Sequence, residues 1–238
     1  MCLPARAQAA DTAGVLILGD SNSEGPFGGM LYDGLRHMRD PVTKNRLKVS
    51  IFAKCGAGAH DWVDKSFAKF ICGAWNCSND RILFDCEHLR DGAIPPLHEL
   101  YADLGADRRV TLVALGVNML WGDRDQNLRD AATLIAAIHA EGSACIWIGP
   151  PQTGDAFVTV FAFNSFVTAL RKTVTKNGCR FIASDDKTDR RRIAPREDHY
   201  SDADSVDWAQ KVLDELDQPA SPGDRPFLTL FARGAAME

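Results

Sequence analysis

The sequence has no apolar run that approaches the ~20 residues needed to cross a bilayer, which argues against stable membrane insertion. It has no excess of basic charge: 27 Lys and Arg stand against 32 Asp and Glu, a formal net charge of -5, so no general affinity for nucleic acid is expected. It has no internal repeat, and none of its cysteines forms the paired Cys-x-x-Cys usual in structural zinc sites. Leu3–Ala10 ends in an Ala-x-Ala pattern like a signal-peptidase site, but no apolar segment precedes it. Residues 1–13 therefore read either as the end of a secretory signal or as a flexible Ala-rich arm.

What is present suffices for one α/β domain: 238 residues, 45% hydrophobic and 25% charged. Seven cysteines are many for a cytosolic enzyme of this size. Cys145 lies within an apolar run and Cys179 abuts one, so both read as inert core thiols. Cys72, Cys77 and Cys86 cluster, and read as a loop held by a disulfide. This favours a periplasmic or secreted setting over a cytoplasmic one. A zinc site from these three and His88 has the wrong spacing, and no metal or other cofactor is expected. Oligomeric state is left open.

Five strand-like runs recur: Val15–Gly19, Lys48–Ala53, Val110–Leu115, Ala144–Ile148 and Arg180–Ala183. Helical spacing marks Gly28–Arg39, Asp125–Glu141, Phe157–Lys176 and Ser205–Leu216. The alternation predicts a parallel sheet covered on both faces. Residues 14–217 form the expected domain. Within it, residues 57–96 lose the pattern and read as a Cys- and Trp-containing insertion beside the site. Residues 218–238 form a tail in which Phe227–Phe231 could dock.

Four short segments carry the chemistry. Val15–Leu18 ends abruptly in Gly19-Asp20-Ser21-Asn22-Ser23, which places Ser21 at a strand's C-terminal end, where open α/β sheets hold their ligands. Alone, this is a better helix cap than a nucleophile. Gly56, in Cys55-Gly56-Ala57-Gly58, follows the second strand and can turn a backbone N–H toward an oxyanion. Asn118 follows the third strand and can offer its side-chain N–H. His199, in Asp198-His199-Tyr200-Ser201, precedes the last helix and can act as general base.

Ser, Gly, Asn and His in this order, over about residues 15–215, resemble the four blocks of the SGNH (GDSL-type) esterase superfamily. Gly25-Pro26-Phe27-Gly28, the Cys-Gly block with a nearby Trp, and Ile148–Pro151 resemble a bacterial subgroup of it. The resemblance implies a flavodoxin-like three-layer αβα sandwich on a five-stranded parallel sheet, and metal-free hydrolysis of an ester. It implies Ser21 as nucleophile and His199 as base. The oxyanion donors would be the N–H groups of Ser21 and Gly56 and the side chain of Asn118. Acetyl esters of a carbohydrate or cell-wall glycan are the expected substrate. Longer acyl esters, or a catalytically inactive domain that binds glycan or a protein, are the alternatives.

One position departs from the family. Where Asp usually stands three residues before the histidine, this chain has Arg196, which cannot accept the imidazole N–H. Either a backbone carbonyl orients His199 in a Ser-His dyad, or Glu197, Asp198 or Asp202 substitutes, or activity is lost. Adjacent side chains usually diverge, which counts against Asp198 and favours the dyad. Asp20, Asn22, Trp62 and Arg196 are candidate substrate contacts. Trp62, Trp75 and Trp121 could stack on sugars or pack in the core, and Asp189-Arg190-Arg191-Arg192 reads as a basic wall or a solvated charge run.

Overall fold

The apolar run near the N-terminus becomes β1 (Ala13–Gly19), with all seven residues buried. The computed structural model describes residues 11–63, 74–78, 87–89, 94–154, 158–194, 197–217, 227 and 229–231. Around β1 lie β2 (Lys48–Lys54), β3 (Ala74–Ser78), β4 (Glu87–Leu89), β5 (Arg108–Ala114), β6 (Ala144–Ile148) and β7 (Arg180–Ile182). They form one sheet in the order β4-β3-β2-β1-β5-β6-β7. The five strands from β2 to β7 by way of β1 are parallel. These are the five runs read from the sequence. The expected five-stranded sheet is extended by β3 and β4, which are antiparallel and come from the 57–96 stretch. They have five and three residues, too short for a period-two pattern to stand out.

The helices are α1 (Pro26–His37), α2 (His60–Val63), α3 (Leu97–Leu104), α4 (Arg124–Ala140), α5 (Val160–Lys176) and α6 (Asp202–Asp217). Alternation along β1 sorts them into two outer layers. Val15 and Ile17 pack with Phe27 and Leu31 of α1 and with Trp208 and Val212 of α6. Leu16 and Leu18 pack on the opposite face with Leu104 of α3, Ile138 of α4 and Leu170 of α5. The result is the three-layer αβα sandwich. Asp123 and Thr159 start α4 and α5 as side-chain caps, accepting the N–H groups of Gln126 and Ala162. The start of α5 lies three residues later than its hydropathy suggests, and Phe161 is left 84% exposed. Among the described residues, no helix is long and apolar enough to cross a membrane.

One reading changes. Cys145 and Cys179 are not free thiols: they form a disulfide between β6 and the residue before β7, their Cα atoms 4.8 Å apart. Apolar context marks a cysteine as buried, but it does not distinguish a thiol from half of a cross-link. Cys55 is also disulfide-bonded. Cys72 and Cys86 lie outside the described residues, so the expected loop disulfide cannot be placed. In the tail, Phe227 and Phe231 are fully enclosed in the α1/α6 core. The Phe231 carbonyl accepts from Arg108 Nη1 at 2.8 Å, and that buried guanidinium is itself paired with Asp40 at 2.6 Å. A buried cation needs such partners, so the tail contact also completes the environment of Arg108.

The Cys145–Cys179 bond spans 34 residues of sequence, and chain entropy assigns such a loop about 3–4 kcal/mol. Replacing both cysteines by alanine should lower the urea midpoint by the corresponding amount. An unchanged midpoint in oxidised protein would show that the bond does not form in solution.

Candidate active site

Parallel pairing places Gly19 opposite Ala53 of β2 and Ala114 of β5. The three loops that follow therefore leave the sheet side by side at its C-terminal edge. After β1, the Asp20 carbonyl accepts the Ser23 N–H at 2.9 Å and the Ser21 carbonyl accepts the Glu24 N–H at 3.3 Å. Asp20 Oδ1 accepts the Asn22 N–H at 3.0 Å, an Asx turn that fixes the bend. Gly19 is required here, because a Cβ on it would lie 2.2 Å from the Ser23 Cβ. Asp20 and Asn22 are 3% and 9% exposed. Both are buried in the turn that carries Ser21, Asp20 as the acceptor of the Asx bond.

The loop after β2 is pinned from several sides. The Ala57 N–H closes back on the Lys54 carbonyl at 3.1 Å. Gly56 holds φ 77°, the left-handed third position of a type II turn. Lys54 and Asp61, both buried, meet at 2.7 Å, and the other Asp61 oxygen accepts the Gly58 N–H at 2.8 Å. Asn118 Nδ2 donates to the Ala57 carbonyl at 3.1 Å, which joins the loops after β2 and β5 and leaves its second N–H for other use. Asn127 Nδ2 holds the Met119 and Trp121 carbonyls, both at 2.8 Å, so the Asn118 turn is also braced from α4. The Lys54–Asp61 pair was missed from the sequence. Its one visible sign is a lysine ending an otherwise apolar strand, just before a glycine-rich turn. Trp62 is 8% exposed and sits edge-on to Phe52, ring centroids 5.7 Å apart. It packs the core and offers no face to a sugar, whereas Trp121 is 48% exposed.

His199 lies over the Ser21 turn, with Nε2 2.9 Å from Ser21 Oγ. Its Nδ1 is 2.6 Å from Asp198 Oδ1. The adjacent side chains therefore converge, and the arrangement is not the carboxylate-free dyad that their adjacency favours. Asp198 raises the histidine's pKa through this bond, against the opposing effect of burial. A proton on Nδ1 facing Asp198 leaves Nε2 as acceptor for the serine hydroxyl. The loop is anchored on both sides: the Glu197 carbonyl accepts the Gly154 N–H at 3.0 Å, and Tyr200 donates to the Gln152 carbonyl at 2.9 Å. Arg196 lies outside the described residues. Of the neighbouring arginines, Arg191 pairs with Asp189 at 2.7 Å and Arg192 with Asp204 at 2.6 Å.

Two carboxyls near Ser21 are held far above their ordinary range. Burial pushes Asp20 up to about 7, more than its bonds to Asn22 bring it down. Burial likewise pushes Glu24 to about 7, partly offset by a hydrogen bond from the Cys55 backbone N–H. Glu24 is a further site residue that the sequence analysis did not single out. A glutamate three residues after a Ser-containing turn reads as an ordinary helix-start residue.

Three outcomes are expected from this geometry. Asp61→Ala strands the buried Lys54 ammonium and should cost about 3–5 kcal/mol in denaturant melts. Asp198→Asn should bring the His199 pKa down toward its ordinary 6.5 in an NMR titration; an unmoved value would mean the pair does not form in solution. Burial holds the Asp20 carboxyl at about 7 in the folded chain, while its unfolded counterpart ionises near 3.8. Stability should therefore fall as pH rises from about 4 to 7. Asp20→Asn should reduce that slope, to which Glu24 also contributes, and raise Tm more at about pH 8 than at about pH 4.

No protein-family model matches the chain. No curated protein matches it by sequence. Its fold is nevertheless shared with solved structures. An acetyl xylan esterase aligns with a TM-score of 0.52 at 15% identity, over 85% of this chain and 98% of its own. A protein of Slackia heliotrinireducens assigned to the SGNH hydrolases gives 0.53 at 13%, over 85% and 98%. Est24, a carbohydrate acetylesterase from Sinorhizobium meliloti, gives 0.53 at 11%, over 86% and 98%.

Proposed function

From this SGNH hydrolase fold and the geometry at its strand ends, we propose that the chain is a serine esterase that removes a small acyl group, acetyl first among them, from a carbohydrate. The observation that carries the reading is the aligned series Ser21 Oγ, His199 Nε2 at 2.9 Å, and His199 Nδ1 to Asp198 at 2.6 Å. The acetylesterases that share the fold support the acetyl and carbohydrate assignments.

In this mechanism Ser21 attacks the ester carbonyl as its proton passes to His199 Nε2. Asp198 holds the imidazole in the required tautomer and stabilises the imidazolium. The oxyanion is received by the N–H groups of Ser21 and Gly56 and by the second N–H of Asn118. His199 returns the proton to the leaving alcohol, then activates water to release the acyl group from Ser21. The chemistry uses side chains and backbone alone. Trp121, exposed three residues beyond Asn118, is the aromatic surface best situated for a sugar. Residues 14–217 form the catalytic unit, with Phe227 and Phe231 docked on it. The disulfides favour a setting outside the cytoplasm.

Turnover of p-nitrophenyl acetate should vanish in Ser21→Ala. Asn118→Ala should lower kcat by about 10²–10³. Equal rates in Ser21→Ala and the parent would overturn the reading, and a marked preference for a longer acyl chain would move the substrate class to lipase or thioesterase. Because the base must be neutral, kcat/KM should fall with decreasing pH through a value above the ordinary 6.5 of histidine.

A further inference from the structure

We infer that Glu24 is a positioning residue, one that locks the oxyanion loop after β2 to the turn that carries Ser21. The inference rests on the esterase reading and adds a residue to it.

Glu24 spans the two turns with separate groups. Its backbone N–H donates to the Ser21 carbonyl at 3.3 Å. Its carboxylate accepts the backbone N–H of Cys55. The β2 ladder ends at Lys54, and the Ala57 N–H is committed to closing the turn. Between these points the chain has two backbone donors, those of Cys55 and Gly56. Glu24 takes the first. The second is the donor that the esterase reading gives to the oxyanion.

A fixed Cys55 N–H fixes the peptide plane from which the Gly56 turn departs. The Lys54–Asp61 pair and the Asn118–Ala57 bond hold the far side of the same turn. Glu24 is thus the strut that sets the spacing between the Ser21 N–H and the Gly56 N–H. Preorganised donors act only if that spacing is held before the charge develops. The arrangement is not optimal for stability alone. The other carboxyl oxygen of Glu24, Oε1, is buried with no hydrogen-bond partner, which carries a desolvation cost. A side chain that served only packing would avoid that cost.

The test uses the full-length oxidised protein. Glu24→Gln retains an acceptor for the Cys55 N–H and should keep kcat for p-nitrophenyl acetate within about threefold of the parent. Glu24→Ala removes it and should lower kcat about 10- to 100-fold with KM little changed. Affinity for a phenylboronic acid, which forms a tetrahedral adduct on the serine, should fall in parallel with kcat/KM. Should Glu24→Ala fail to fold, Glu24→Asp replaces it: one methylene shorter, it cannot reach Cys55 and should lose kcat where Gln does not. Unchanged kcat in Ala or Asp overturns the inference, and so does a Gln variant as slow as Ala. Loss of Ser21 dependence would instead overturn the esterase reading itself.

Discussion

The parallel pairing of β1 with β2 and β5 is the constraint from which the rest follows. Parallel strands point their C-terminal ends the same way, and the register places Gly19, Ala53 and Ala114 in one row. Whatever follows those residues must emerge at one edge of the sheet. Ser21, Gly56 and Asn118 lie far apart in sequence, yet each needs only two to four residues beyond the row to reach the same cleft. Short connections of this kind leave little freedom for the groups they carry. The packing of α1 and α6 beneath β1 reinforces this, with Phe27 and Trp208 stacked at 3.6 Å under the Ser21 turn.

Polar groups buried around the cleft are arranged in two ways. Lys54 and Asp61 meet as opposite charges, and Asp61 spends its second oxygen on Gly58. Asp20 has no cation within hydrogen-bond reach among the described residues, and burial keeps it protonated well above the usual carboxylate range. Burial thus leaves Asp20 and Glu24, both near Ser21, with less negative charge than ordinary carboxylates carry. A fully ionised Asp20 and Glu24 would oppose an oxyanion formed nearby electrostatically.

The parallel core was legible because its strands are nearly continuous apolar runs and its helices are long enough to show their period. The bend after β1 was legible as well, since glycine, aspartate and serine each have a mechanical part in it. What stayed hidden depends on contacts between distant segments. The strands β3 and β4 are too short to declare themselves. The pairing of Cys145 with Cys179 requires knowing that β6 and β7 are neighbours. Little in the sequence marks Lys54 as buried, and burial decides between the two roles open to Trp62 in favour of the core. The relation of Asp198 to His199 was the hardest to read, because adjacency in sequence normally sends two side chains apart, and only the loop's anchors on Gly154 and Gln152 bring them together.

That adjacency has a mechanical consequence. An imidazole whose carboxylate partner comes from a distant loop can lose alignment whenever either loop moves. Here the two groups stand on consecutive residues, so a displacement of the segment carries both backbones together. The distance from the histidine to Ser21 therefore depends on where the segment sits, whereas its distance to Asp198 depends on the torsions of the two side chains themselves.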